Sequence, residues 1–191
     1  MKAKVTPIIL AGGRSSRMGT NKSFILFQNK VMIEGIIEKL KNIFAVQPMI
    51  VTNEKALYQY LNLQLTADVY KGRGPMAGIH AGLMASATEW NFFCACDMPF
   101  LSEGLIMAML DNIKAGFDAV VPYHDGKYEP LCALYNKSCL TVIDKELQQE
   151  ALKLQCILPK LKLNLLKREE IIRFSPKLEC FYNVNTVLDV L

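Results

Sequence analysis

The residues with the plainest chemical potential lie between positions 10 and 22, where the chain reads Leu10-Ala11-Gly12-Gly13-Arg14-Ser15-Ser16-Arg17-Met18-Gly19-Thr20-Asn21-Lys22. Glycine allows backbone conformations in which amide N–H groups crowd close to an anion. Arg14, Arg17 and Lys22 add positive charge to the same segment. A loop of this kind is suited to phosphate. It has neither the P-loop spacing of glycine, four residues and Gly-Lys-Ser/Thr nor the dinucleotide pattern Gly-x-Gly-x-x-Gly. A second candidate is Asp97, a carboxylate placed directly after the apolar run Phe92-Phe93-Cys94-Ala95-Cys96, with Pro99 closing the run by removing a ladder donor.

These groups need a scaffold, and the pattern around them supplies one. Residues 5–10 form a short apolar run ending in the glycine loop, as expected of a buried parallel strand. Apolar residues at Ile33, Ile36, Ile37, Leu40 and Phe44 repeat at helical spacing. Further strands are predicted at 48–52, 63–67, 91–95 and 118–122, and helices at 54–61, 76–87, 103–115 and 138–154. Ser102 is the expected N-cap of the third of these helices. The 76–87 helix carries Ala77, Gly78, Ala81 and Gly82, small residues suited to close packing. His80, inside it, is expected to be structural. Asp125-Gly126 signals a hairpin leading to the run 130–135. Residues 160–170 have no decisive pattern, and 171–174 is predicted to be a late strand. Alternating strands and helices imply an α/β fold, an open and mostly parallel sheet with helices on both faces, whose ligands bind at the carboxyl ends of strands.

With 191 residues the chain suits one domain with a sizeable core, residues 1–191. The net charge of +4 comes without a basic tract, which argues for a phosphate pocket and against nucleic acid as partner. No apolar segment is long enough for a membrane span, and the apolar start is too short for a signal peptide. Six cysteines without a Cys-x-x-Cys pair, and only two histidines, give no zinc pattern. Free thiols fit a reducing, cytoplasmic setting.

The glycine loop resembles the signature of the molybdenum cofactor guanylyltransferase family, whose usual form is Leu-Ala-Gly-Gly, x, Ser, x, Arg-Met-Gly, x, Asp-Lys. Asn21 departs from it. Cys96-Asp97-Met98-Pro99-Phe100-Leu101, Gly74-Pro75-Met76-Ala77-Gly78-Ile79, the segment around Pro130-Leu131, and Phe181-Tyr182-Asn183-Val184-Asn185-Thr186 resemble further family motifs in family order, with Glu129 where the family usually has Gln and Val187 where it usually has Pro. The resemblance implies a three-layer Rossmann-like nucleotidyltransferase fold and an enzyme that moves GMP from GTP to molybdopterin phosphate. It implies that Leu10, Ala11, Gly12, Gly13, Lys22, Asn53, Asp68 and Asp97 bind the nucleotide. Asp97 would hold Mg²⁺, Arg17, Lys22 and Asp97 would be catalytic, and Pro130, Asn183 and Asn185 would face the pterin. The nucleotide half is then about 1–100 and the substrate half about 101–191. GTP and molybdenum cofactor are the implied ligands, with transient contacts to proteins that deliver or accept the cofactor. Two alternatives share the loop: a CTP-dependent cytidylyltransferase, distinguished by Asp68 and the Asn183–Asn185 ending, and a non-catalytic nucleotide-binding protein of the same fold, against which Lys22 and Asp97 stand.

Overall fold

Strand β6 (Trp90–Ala95) is buried at every position. Side chains alternate across a strand, so such a run must be covered on both faces. Phe92 and Cys94 enter one core, while Phe93 enters the other. The computed structural model describes residues 4–12, 22–149 and 153–184. Around β6 it arranges β1 (Val5–Leu10), β2 (Leu26–Phe27), β3 (Lys30–Val31), α1 (Met32–Phe44), β4 (Met49–Val51), α2 (Lys55–Tyr58), β5 (Leu65–Thr66) and α3 (Gly74–Ala85). After β6 come α4 (Glu103–Asp111), β7 (Ala119–His124), β8 (Lys127–Tyr128), β9 (Cys132–Asn136), α5 (Cys139–Gln148), α6 (Leu154–Ile157), β10 (Leu163–Lys167) and α7 (Arg168–Ile171).

The main sheet runs β10-β7-β9-β6-β1-β4-β5, with β8 paired to β7. Strands β5, β4, β1 and β6 are parallel neighbours, as are β7 and β10, whereas β9 is antiparallel to both β6 and β7. The sheet is therefore mostly parallel, with β9 reversed at its centre. One core packs Ile9, Phe92 and Val120 against α1 and α4 through Ile33, Leu40 and Met109. The other packs Ile8, Phe93 and Val121 against α3 and α5 through Ile79, Leu83 and Ile143. This is the expected three-layer α/β arrangement.

Local signals explain most element ends. Ser102 Oγ accepts from the Leu105 N–H at 3.4 Å, capping α4. Asp125 and Gly126 both have positive φ, 49° and 77°, as a two-residue hairpin turn requires. That turn leads to β8 first, and the 130–135 run becomes β9, inserted between β6 and β7. The predicted strand at 171–174 is corrected: β10 precedes it, and α7 occupies Arg168–Ile171. Glu170 Oε2 accepts the Lys167 N–H at 3.1 Å, which turns the chain into a helix at the strand's end. The predicted helix over 138–154 is likewise shorter, since α5 ends at Gln148.

Helix α3 approaches the sheet closely because it has glycine where other helices have side chains. A Cβ on Gly82 would stand 2.7 Å from Phe93 Cε1 and 3.2 Å from Ile8 Cδ1. Gly35, within α1, has nothing within 4 Å of the same position. Gly35→Ala is therefore expected to stabilise the fold by about 0.5–1 kcal/mol through helix propensity. Gly82→Ala is expected to destabilise it by about 1–3 kcal/mol through overpacking. Urea unfolding of both variants measures the contrast; equal signs would mean that the α3–sheet contact yields without cost.

Candidate active site

Four parallel strands bring their carboxyl ends to one edge. Beyond the strands, the Cys96 N–H donates to Leu10 O at 3.1 Å, the Ala11 N–H to Val51 O at 2.9 Å and the Thr52 N–H to Thr66 O at 2.8 Å. The exits of β6, β1, β4 and β5 are thus held in line, and Asp97, Ala11-Gly12, Asn53 and Asp68 emerge along them. Leu10 and Ala11 are buried while Gly12 is exposed, and a Cβ there would meet nothing within 4 Å. Gly13, Arg14, Arg17, Asn21 and Asn185 lie outside the described residues.

Lys22 opens a single 3-10 turn, Lys22–Phe24. Its neighbour Ser23 is fully buried and its hydroxyl shares a 2.9 Å hydrogen bond with the equally buried Tyr58 hydroxyl. This anchor sets where Lys22 leaves the core. Lys22 Nζ lies 3.8 Å from Asp97 Oδ2, joining two residues far apart in sequence. The Asp97 side chain is only 17% exposed. Burial pushes its pKa up, and the nearby Lys22 charge opposes that rise. The Asp97 carbonyl accepts the Val184 N–H at 2.8 Å, which fixes the late segment beside the carboxylate.

On the other side of β1, Asn53 Nδ2 donates to Asp68 Oδ2 at 2.9 Å, and the Asp68 N–H returns a bond to Asn53 Oδ1 at 3.1 Å. Asp68 is half-buried, and burial raises its pKa against the pull of the Asn53 bond. Gly78 of α3 packs behind this pair, where a Cβ would stand 3.1 Å from Leu10 Cδ2 and 3.8 Å from Asp68 Oδ1.

Pro130 and Asn183 meet in a cleft of about 260 Å³ whose wall also includes Met98, Glu129 and Phe181. Met98 follows Asp97 directly, so the cleft opens next to the Lys22–Asp97 pair. Sequence reasoning missed the polar network behind it. His124 Nε2 lies 3.0 Å from Glu129 Oε1 and Nδ1 3.3 Å from Asp125 Oδ2, while Arg168 Nε lies 3.2 Å from the other Asp125 oxygen. The His124 ring stacks on Phe181 with centroids 5.2 Å apart. Burial raises the Glu129 pKa, and His124 opposes it. The sequence signals were His124 beside a pair read only as a turn and Glu129, which stands where the family usually has Gln. Among the described residues, Asp68, Asp97 and Glu129 are the carboxylates whose pKa is pushed up, and all three belong to this edge or its cleft. A larger hollow of about 340 Å³, beside Trp90, Phe117 and Lys162, lies at the opposite end of the strands and holds none of them.

No group of three His, Cys, Asp or Glu among the described residues could hold a metal alone. A single half-hidden carboxylate suits a cation that takes its other ligands from phosphate oxygens and water, which is the habit of Mg²⁺. The Cys96 thiol beside Asp97 is pushed up to about 11 by burial, so it is no thiolate nucleophile at neutral pH. His80 is buried in α3, its Nε2 3.4 Å from Asp144 Oδ1 and its ring against Tyr70, as a structural residue would be.

The model of the MobA-like NTP transferase domain family matches residues 7–163. The chain is 37% identical to "Molybdenum cofactor guanylyltransferase" of Desulfosudis oleivorans, over 95% of this chain and 90% of that one. It is 39% identical to "Probable molybdenum cofactor guanylyltransferase" of Peptoclostridium acidaminophilum, over 94% and 84%. Among solved structures, molybdopterin-guanine dinucleotide biosynthesis protein A from Archaeoglobus fulgidus superposes with a TM-score of 0.83 at 29% identity, covering 97% of this chain and 94% of that one.

The Asn53–Asp68 clip makes a measurable claim. Asn53→Ala removes a hydrogen bond that favours the charged carboxylate, so the Asp68 pKa is expected to rise further while the Asp97 titration stays in place. Carboxyl ¹³C shifts followed against pH read both; an unmoved Asp68 would show that burial alone sets its charge.

Proposed function

Because the chain belongs to the molybdenum cofactor guanylyltransferases, within the MobA-like NTP transferase family, we propose that it transfers GMP from GTP to the terminal phosphate of molybdopterin in the molybdenum cofactor. An oxygen of that phosphate bonds to the α-phosphorus of GTP, the bond from the α-phosphorus to the bridging oxygen breaks, and pyrophosphate leaves with the electron pair. The observation that best supports this reading is the Lys22–Asp97 pair at the strand edge, with the Val184 N–H bonded to the Asp97 carbonyl so that the late segment lies beside it.

The attacking phosphate is already an anion, so the site needs no strong base. Catalysis then rests on positioning and charge neutralisation. Asp97 would hold Mg²⁺, which supplies charge neutralisation to the phosphates when bound. Lys22 carries its ammonium to the α-phosphate and the departing pyrophosphate. Arg17 and the backbone of Leu10, Ala11, Gly12 and Gly13 serve the same anions. Asp68, held by Asn53, accepts from the guanine N1–H and 2-amino group, a donor pair that cytosine lacks. Pro130, Asn183 and Asn185 face the pterin. The chain thus divides into a nucleotide half, about 1–100, and a substrate half, about 101–191. Among the described residues no helix is long and apolar enough to cross a membrane. The six free cysteines favour a reducing setting, and we place the enzyme in the cytoplasm, in transient contact with proteins that deliver or receive the cofactor.

Turnover with GTP, CTP or ATP in the presence of Mg²⁺ and molybdenum cofactor tests the reading. Pyrophosphate release is expected with GTP; faster turnover with CTP would move the protein to the cytidylyltransferases. Lys22→Ala is expected to lower kcat by roughly 10²–10³-fold, the usual loss on removing one donor to developing charge. The division of the chain has its own measurement. Asn183→Ala is expected to raise KM for the molybdenum cofactor and leave KM for GTP nearly unchanged, and the reverse pattern would overturn the division.

A further inference from the structure

The segment that carries Asp97 is gripped from outside the strand edge by a cation that the transfer of GMP does not use. Lys39, within α1, is partly buried, and its Nζ donates to Pro99 O at 3.2 Å and to Leu101 O at 2.8 Å. Both carbonyls belong to the irregular stretch between β6 and α4, which begins at Cys96-Asp97. Burial pulls the Lys39 pKa below the ordinary lysine range. Among the described residues no carboxylate forms an ion pair with it. An ammonium that gives up water without a counter-ion costs stability unless its hydrogen bonds offset the loss. Here two carbonyls take those bonds, and among the described residues no backbone N–H donates to either of them.

The ends of that stretch are fixed. The Cys96 N–H is bonded to Leu10 O, the Asp97 carbonyl accepts from Val184, and Ser102 caps α4. Between these points Met98 and Leu101 are buried, and the Phe100 ring meets the Phe27 ring edge-on, with centroids 5.1 Å apart and 87° between the planes. Phe27 stands in β2, in the hairpin that follows Lys22 and leads directly into α1. The Met32 N–H donates to Ile25 O at 2.9 Å, which closes that hairpin onto the start of the helix. Lys22, Phe27 and Lys39 thus lie on one continuous stretch of chain, and Asp97, Pro99, Phe100 and Leu101 on another. The 3.8 Å between Lys22 Nζ and Asp97 Oδ2 is a gap between the two stretches. Lys39 joins them by hydrogen bonds, and Phe27 joins them by ring contact.

We propose that Lys39 is a positioning residue for the Asp97 carboxylate: by tying α1 to the carbonyls of Pro99 and Leu101, it sets where that carboxylate stands relative to Lys22. This rests on the reading of Asp97 as the residue that holds a divalent cation. A carboxylate that shares Mg²⁺ with phosphate oxygens has little tolerance in position, because the ion demands near-ideal octahedral geometry. The stretch from Asp97 to Leu101 has no helix or strand of its own to stiffen it. One ammonium, with three donors, can hold two of its carbonyls at once. Groups that orient a metal ligand without touching the metal commonly change metal affinity or activity by roughly 10- to 100-fold when removed.

The test uses the whole protein with GTP and with Mn²⁺ as a paramagnetic probe, whose affinity for the protein–GTP complex is read by electron paramagnetic resonance without turnover. Lys39→Met keeps an unbranched apolar stem and removes the donors. It is expected to weaken Mn²⁺ binding by roughly 10-fold or more and to lower kcat by a similar factor, with KM for molybdenum cofactor within about twofold of wild type. Lys39→Arg returns donors to the same place and is expected to regain most of both losses. Mn²⁺ affinity and kcat within about twofold of wild type in Lys39→Met overturn the assignment, whatever urea unfolding shows for its stability. Equal losses in Lys39→Met and Lys39→Arg overturn it too, because they trace the effect to packing on α1 and not to the hydrogen bonds. Should Lys39→Met fail to fold, Lys39→Gln, uncharged and one atom shorter, is held to the same limits. Asp97→Ala separates this inference from the reading beneath it. If Asp97→Ala loses the probe while Lys39→Met keeps it, the positioning role fails alone. If Asp97→Ala binds Mn²⁺ as the wild type does, the reading of Asp97 fails and this inference falls with it.

Discussion

Strand β1 is hydrogen-bonded on both edges, to β4 on one side and β6 on the other, and covered on both faces by helices. Nearly everything else in the molecule depends on that confinement. A parallel strand so enclosed can deliver its following residues only at the carboxyl edge, and its two parallel neighbours must open at the same edge. Gly12, Asn53 and Asp97 emerge at the same edge for this reason, although Gly12 and Asp97 stand 85 positions apart in sequence. The close seat of α3, which depends on the lack of side chains at Gly78 and Gly82, keeps the sheet edge rigid behind Leu10 and Asp68.

Charge at this edge follows a consistent logic. Asp68, Asp97 and Glu129 each lose solvent, and each has a partner that recovers part of the cost: Asn53, Lys22 and His124. The partners differ in kind. A neutral amide orients Asp68 without cancelling its charge, which suits the proposed role of accepting from a base. A lysine near Asp97 leaves room for a cation and phosphates to complete the balance. Perturbed carboxylates gathered in one place are a mark of functional sites.

Much of this was legible in the sequence. Continuous apolar runs gave away β1 and β6, Gly-Gly after β1 marked a strand exit, and the small residues of α3 announced its close packing. Lys22 and Asp97 stood out by type and context, while Asp68, Asn53, Pro130 and Asn183 were pointed to only by the family resemblance; the structure gathers Lys22, Asp97, Asn53 and Asp68 along one strand edge. What escaped depends on long-range pairing. The hairpin signal at Asp125-Gly126 already implied that β9 runs against β7, but its insertion between β7 and β6 is revealed only by the sheet. Ile171–Phe174 looked like a strand because the capping of α7 by Glu170 competes at the level of a single hydrogen bond. The His124–Asp125–Arg168 network joins a hairpin turn to a helix more than forty residues later, and no local spacing announces it.

The bond from the Val184 N–H to the Asp97 carbonyl has a consequence in time. Asp97 leaves the ribosome long before Val184, and the cleft wall at Phe181 and Asn183 arrives with Val184. A nascent chain can assemble β1, β4, β5 and β6 while the backbone of Asp97 still lacks its last tether and the neighbouring cleft lacks one wall. The last stretch of the described chain thus closes an edge whose first strand begins at Val5.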